Sequence, residues 1–240
     1  MSSISKWPKV LPPLTAEQEV ISNDFMHHWH EVLPKRFGVI EKFNHSYAVT
    51  HSPRGFARTL EIGAGRGEHL LYERLTPQQR SEYYSLELRP NMCQAIQERF
   101  PDIHVIQGDC QERLDFPDGF FDRLLAIHVL EHLPNLPATI AEIHRLCRHD
   151  GCFSVVIPCE GSLAYSTARR ISAQRIFEKR YKQSYSWFID REHINRPDEI
   201  MEELGKYFEI AHSRYFPFPL PFQFCNLVIG LTCRPRPGSK

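Results

Sequence analysis

The residues of this chain that could do chemistry fall into three groups. The first is Glu61-Ile62-Gly63-Ala64-Gly65-Arg66-Gly67-Glu68, an acid followed by glycines at alternate positions. Glycine turns through backbone conformations closed to other residues and lets a ligand lie against the main chain. A dinucleotide-binding turn reads G-x-G-x-x-G/A and aims a helix N-terminus at pyrophosphate. Here Glu68 stands at the third small position, a carboxylate where phosphate would lie, so the turn suits a ligand with adenosine but no phosphate. The second group is the acids Glu87 and Asp109, each closing an apolar, strand-like run. A carboxylate about 20 residues beyond such a turn is placed to accept hydrogen bonds from ribose hydroxyls. The third group is imidazoles that exchange protons near neutral pH: His128 and His132 in Ile127-His128-Val129-Leu130-Glu131-His132, and His193 in Glu192-His193-Ile194-Asn195.

Elements of alternating type must position these groups. A buried strand leads into the glycine turn, and a helix is expected over 68–75. Strand-like runs follow at Tyr83–Glu87, 103–109 and Phe121–Ile127. Residues 138–148 carry Ile140, Ile143, Leu146 and Cys147 at helical spacing. Asp150-Gly151 then turns the chain into a fifth strand over 152–157. Runs at 207–215 and 226–231 read as two last strands, joined through Pro217, Pro219 and Pro221.

With these motifs in order, the chain resembles the class I S-adenosylmethionine-dependent methyltransferases. Their first motif, E/D-x-G-x-G-x-G, is matched by Glu61, Gly63, Gly65 and Gly67, and Val129-Leu130-Glu131-His132 is similar to the V-L-E-H segment of small-molecule members. The resemblance spans about 58–157. It implies an α/β fold, a doubly wound, seven-stranded Rossmann-like sheet of order 3-2-1-4-5-7-6, with S-adenosyl-L-methionine as cofactor. It further implies that Glu61, Gly63, Ala64, Gly65, Gly67, Glu87, Leu88, Asp109, Cys110 and the backbone of His128 line that cofactor, with Asp109 beside the adenine amino group. Related enzymes often carry a histidine where His193 stands, which makes it the leading candidate base, with His128 and His132 as further catalytic candidates.

Four parts are expected: an N-terminal helical cap (1–55), the cofactor-binding core (56–159), a helical lid insert (160–196), and a C-terminal helix with an antiparallel strand pair (197–240). In the cap, Thr15-Ala16-Glu17-Gln18 fits a capping box, followed by an amphipathic helix bearing Val20, Ile21, Phe25, Trp29 and Leu33 and stopped by Pro34. His45 and Tyr47, just before the first strand, are expected to touch the substrate. In the insert, Arg169, Arg170, Arg175, Lys179, Arg180 and Lys182 stand against the single acid Glu178 between Gly161 and Ile189. With Tyr165, Arg169 and Arg170 facing the transferred methyl, the acceptor is expected to be small and anionic, taking the methyl on oxygen or nitrogen.

Composition sets the limits. The 240 residues hold 29 basic and 29 acidic side chains, so no net charge draws the protein to nucleic acid or membrane. No apolar run reaches the ~20 residues of a spanning helix, and the first residues lack the apolar stretch of a signal peptide. The seven cysteines form no C-x-x-C pair, which fits reduced thiols in a cytoplasmic protein. No local histidine spacing reads as a metal site, and none is expected. There is no D/N-P-P-Y/W run after the fourth strand, as in DNA amino-methyltransferases. A nucleic-acid acceptor, such as RNA, and a non-catalytic cofactor-binding protein remain as alternatives.

Overall fold

Every residue of Thr59–Ile62 (β1), and every residue but the last of Phe121–Ile127 (β4), is buried, the polar Thr59, Glu61, Asp122 and Arg123 included, as expected of a parallel sheet covered by helices on both faces. The computed structural model describes residues 6–36 and 38–238, with the backbone alone for 29–36. Its seven-stranded sheet has the order β3-β2-β1-β4-β5-β7-β6. The remaining strands are β2 (Tyr83–Glu87), β3 (His104–Gln107), β5 (Cys147–Pro158), β6 (Phe208–Phe216) and β7 (Val228–Pro235). Strands β1 to β5 run parallel, and β7 lies antiparallel between β5 and β6. This is the expected topology.

Strand alternation sorts the core onto two faces. Leu60, Ile62, Leu124, Phe153 and Val155 pack under α5 (Leu136–Leu146) and α9 (Pro197–Tyr207) through Ile140, Ile143, Ile200 and Leu204. Tyr83 and Leu125 face the other way, under α2 (Gly38–His51) and α4 (Pro90–Arg99), through Ala48 and Ile96. Further along α2, Phe43 and Tyr47 cover Val156 and Val228. Gly230 on β7 makes room for Tyr47: a Cβ there would lie 2.5 Å from the ring.

Several expected boundaries differ. The helix expected over 68–75 is a single 3-10 turn, His69–Leu71, and the next helix, α3 (Pro77–Ser81), starts afresh on a Thr76 capping box. Proline disfavours helical backbone in the residue before it, and Thr76 is extended at ψ 161. The segment between them delivers Glu73 to the buried guanidinium of Arg123, which Ser52 Oγ also holds at 2.7 Å. Strand β5 begins at Cys147 rather than 152, because a register shift lets residues 148–151 bulge while Cys147 still pairs with Phe121. Helix α1 (Ala16–Arg36) begins at its capping box but runs past Pro34. The side chains of Trp29 and Leu33 lie outside the described residues.

The insert folds as α6 (Leu163–Arg169), a π turn (Arg170–Gln174), α7 (Arg175–Tyr181) and α8 (Ser186–Glu192). It has its own core, in which Phe25 of α1 sits edge-on to Phe177 at 5.0 Å and to Phe188 at 5.1 Å.

Candidate active site

The glycine turn forms because three consecutive alternate residues need left-handed backbone: Gly63, Gly65 and Gly67 have φ of +64°, +60° and +78°. At Gly63 a Cβ would also meet Val129 at 2.5 Å, so the turn is pressed against the end of β4. Carboxylates occupy its amides. Gly65 N–H donates to Glu87 Oε2 at 3.0 Å, and Arg66 N–H to Glu68 Oε2 at 2.8 Å. Phosphate would find these donors taken and two negative charges beside it, whereas ribose hydroxyls can donate to Glu87. The second oxygen of Glu87 accepts from Arg89 N–H and Nε at 3.0 and 3.2 Å, which orients the carboxylate. Leu88, beyond β2, is an exposed apolar side chain, a ready platform for an adenine face. Asp109 follows β3, its Oδ1 accepting from Gln111 N–H at 2.9 Å, and burial with the charge of Asp109 pushes the Cys110 thiol up to about 12. The donor set therefore fits an adenosine-bearing cofactor without phosphate.

Glu61 has a different setting. It is buried and accepts from the Tyr83 hydroxyl at 2.8 Å. Burial, with Glu73 and Glu68 nearby, pushes its carboxyl up to about 8.

Beyond the end of β4 the imidazoles gather. His128 is one of two described non-glycine residues with positive φ, at +54°. Such strain persists where the surroundings over-determine the conformation. Its amide donates to Val156 O at 2.9 Å, and its Nδ1 lies 3.0 Å from Glu131 Oε1. Burial opposes the charge of Glu131, but the His128 hydrogen bond and the neighbouring imidazoles outweigh it and hold the carboxyl at about 2. Burial likewise opposes the His128 charge, yet Glu131 leaves that imidazole above its ordinary value, and Glu41 of α2 adds to the effect.

His193 arrives from the end of α8. Ile194 and Asn195 donate backbone N–H groups to Glu131 O at 2.9 and 3.0 Å. Asn195, just before α9, does not cap it: its Nδ2 donates to Leu130 O and Leu133 O, both at 2.8 Å, and Arg196 takes the cap position. The His132 and His193 rings lie 5.1 Å apart, edge to face. His193 Nδ1 meets Glu160 Oε2 at 2.8 Å, and Glu160 Oε1 pairs with Arg169. Burial works against the Glu160 charge, but His193 and Arg169 keep its carboxyl below the ordinary range. His132 Nδ1 contacts Glu192 O.

The other expected substrate residues divide. Tyr165 lies 6.3 Å from His193, ring to ring, with Arg169 5.9 Å above it, so both belong to the group. His45 is buried beside Glu41 at 3.4 Å and stacks on Tyr72 at 4.8 Å. Tyr47 does not join: it faces β7, its hydroxyl 3.0 Å from Thr232 Oγ1 and 3.1 Å from His212 Nδ1. Arg170 is exposed beyond the end of α6, and Arg180 pairs with Asp24 of α1 at 2.9 Å. Of the insert's basic residues, Arg169 joins this group, through Glu160 and Tyr165. Glu160 and Glu41 were missed, and the one signal for Glu160 was its place just past β5.

Residues 60–155 match the family model described as a methyltransferase domain. No curated protein matches the chain. Among solved structures, the 1,6-didemethyltoxoflavin-N1-methyltransferase of Burkholderia thailandensis, bound to 1,6-didemethyltoxoflavin and S-adenosylhomocysteine, is 20% identical with a TM-score of 0.56, covering 94% of this chain and 93% of its own. A TehB-like S-adenosylmethionine-dependent methyltransferase of Corynebacterium glutamicum is 15% identical at TM-score 0.59, covering 91% and 100%. A possible histamine N-methyltransferase of Thermotoga maritima is 16% identical at 0.62, covering 89% and 97%.

Proposed function

We propose that this chain, whose residues 60–155 match a methyltransferase domain, is a class I S-adenosylmethionine-dependent methyltransferase that methylates a hydroxyl of a small acceptor held between the glycine turn and the insert. The observation that carries this reading is the Glu160–His193 pair, which meets His132 and Glu131 beyond the end of β4. A carboxylate on Nδ1 fixes the imidazole tautomer and leaves Nε2 with a free lone pair. A hydroxyl acceptor profits from a group that takes its proton, typically ~10²–10⁴-fold. The cofactor supplies an electrophilic methyl on sulfonium. Glu87, Asp109 and the turn hold the adenosine, and His128 closes the strand end against the reacting face. Positioning is worth ~7–11 kcal/mol in well-oriented reactions.

An anionic acceptor, as the insert's composition suggested, would have to displace Glu160 from Arg169. A neutral hydroxyl, whose charge develops only as its proton leaves, meets no such cost. A polyanion such as RNA would instead meet the exposed Arg170, Arg175, Lys179 and Lys182.

The test is His193→Ala with a labelled-methyl assay over metabolite pools. The expected result is kcat lower by ~10²-fold or more, with S-adenosylhomocysteine affinity unchanged by calorimetry. Full activity in that variant, or transfer to transfer RNA in preference to small hydroxyl compounds, would sink the reading.

A further inference from the structure

Glu131, His132 and His193 each offer a ligand atom, and these atoms all lie within 4.8 Å of one another. The site is built at depth. Glu131 is fully buried, its Oε1 bound to His128, while its Oε2 has no hydrogen-bond partner. A buried carboxylate oxygen left without a donor is costly and calls for a partner. The two imidazoles are held from behind. His132 Nδ1 donates to Glu192 O and His193 Nδ1 to Glu160 Oε2, with Arg169 fixing Glu160. Both rings therefore carry their proton on Nδ1 and keep the Nε2 lone pair free. Backing of metal-ligating histidines by a carbonyl or carboxylate on the other nitrogen is the usual outer arrangement of a metal site.

We propose that Glu131, His132 and His193 bind a divalent first-row transition metal, with zinc the first candidate. Two imidazoles argue against magnesium and calcium, which take oxygen ligands. Two histidines and a glutamate with an open position are the ligand set of catalytic zinc. Donors about 2 Å from the metal stand roughly 3–3.5 Å apart, so small rotations of the two rings complete the set. The local pattern His128-Val129-Leu130-Glu131-His132 is incomplete without His193, which reaches it from the distant insert; sequence spacing therefore gave no sign of it. The inference deepens the reading of the acceptor pocket and rests on it for the metal's role. A metal held there would act as a Lewis acid that lowers the pKa of an acceptor hydroxyl, so that its proton leaves to solvent before the methyl is transferred; His193 would then serve the reaction as a ligand, in place of the proton-accepting role described above.

Metal binding is measured on full-length protein, stripped with chelator, without acceptor or cofactor. Zinc is titrated by calorimetry and cobalt(II) by visible absorption. The expected result is one equivalent of either metal and cobalt bands of low-symmetry, histidine-containing coordination. Binding should be abolished in the His132→Ala/His193→Ala double variant and weakened about 10–100-fold in Glu160→Ala, which removes the backing of His193, with its Arg169 pair, and no ligand. Melting temperature of the metal-free variants and their S-adenosylhomocysteine affinity report that they fold. No stoichiometric binding by wild type, or binding that persists in the double variant through surface histidines such as His27 and His28, would overturn the proposal. Methyl transfer that survives complete metal removal would overturn the metal's role while leaving the methyltransferase reading intact.

Discussion

Among single residues, the acids of the cofactor half divide by what their neighbours do to their charge. Glu87 lies among donors: Gly65 N–H, Arg89 N–H and the Arg89 guanidinium. Glu61, one strand away on β1, is buried with one hydroxyl donor and with Glu73 and Glu68 near it, and its carboxyl rises to about 8. A raised acid holds its proton in the folded state while the unfolded chain releases it near pH 4.5. Folding is therefore favoured at low pH by this group, and stability falls as pH rises through that interval, by at most ~1.4 kcal/mol per unit. His69, whose buried ring sits at about 4, has its effect below pH 6.5 and is silent above 7. Denaturation of wild type and Glu61→Gln at pH 7 and pH 8 should thus show a steeper decline in wild type than in the variant, which keeps only the decline due to the raised His128. Equal declines would mean that Glu61 is ionised in the fold.

At the scale of elements, the sheet could be read from the sequence because burial on both faces leaves few choices. Strands β2 and β4 fall where apolar runs end in Glu87 and Ile127. The helix after the glycine turn could not be read, since helical spacing over 68–75 competes with Pro77 and with the demand of Arg123 for Glu73. The Arg123–Glu73 pair is a contact between distant segments, and no local pattern records it. The residues expected to line the cofactor could be proposed from sequence because they fall on one turn and at the ends of three strands, β2, β3 and β4. Tyr47 was misjudged because residues two apart on α2 face different neighbours: His45 meets Tyr72, while Tyr47 meets Gly230. The cap and insert share a core apart from the sheet's, centred on Phe25. Phe25→Ala should therefore loosen the insert locally. Removing a buried phenylalanine costs about 3–5 kcal/mol, enough to open a small cluster that has no sheet beneath it. Limited proteolysis should cut within 160–196 faster in the variant while S-adenosylhomocysteine affinity stays constant. Global unfolding in place of local cleavage would show that cap, insert and sheet form one cooperative unit.

In the whole molecule, the glycine turn and the Leu130–His132 turn rest on one core, that of the sheet, while the insert that brings His193 has its own. The cofactor half hangs on β1, β2 and β4 at the centre of the sheet, where the turn docks on Val129. The acceptor half depends on the Leu130–His132 turn being clasped by Ile194 and Asn195, which belong to the segment between insert and α9. No helix among the described residues is long and apolar enough to cross a membrane, and the balanced charge gives no long-range attraction to a polyanion. Cofactor binding should accordingly stabilise the core as a whole, because a ligand held by three central strands is lost only when the sheet opens. At a hundredfold excess over Kd the gain is about 2.7 kcal/mol. Glu87→Ala removes charge-assisted bonds worth ~1.5–3 kcal/mol each, which weakens binding at least tenfold and at the same ligand concentration erases much of that gain. Thermal denaturation of wild type and Glu87→Ala with increasing S-adenosylhomocysteine reads this directly. The melting curve of wild type should shift upward as one transition, and that of the variant should lag at every concentration. Equal shifts in the two proteins would take Glu87 out of the site, and a shift confined to part of the wild-type transition would place the cofactor outside the sheet's cooperative core.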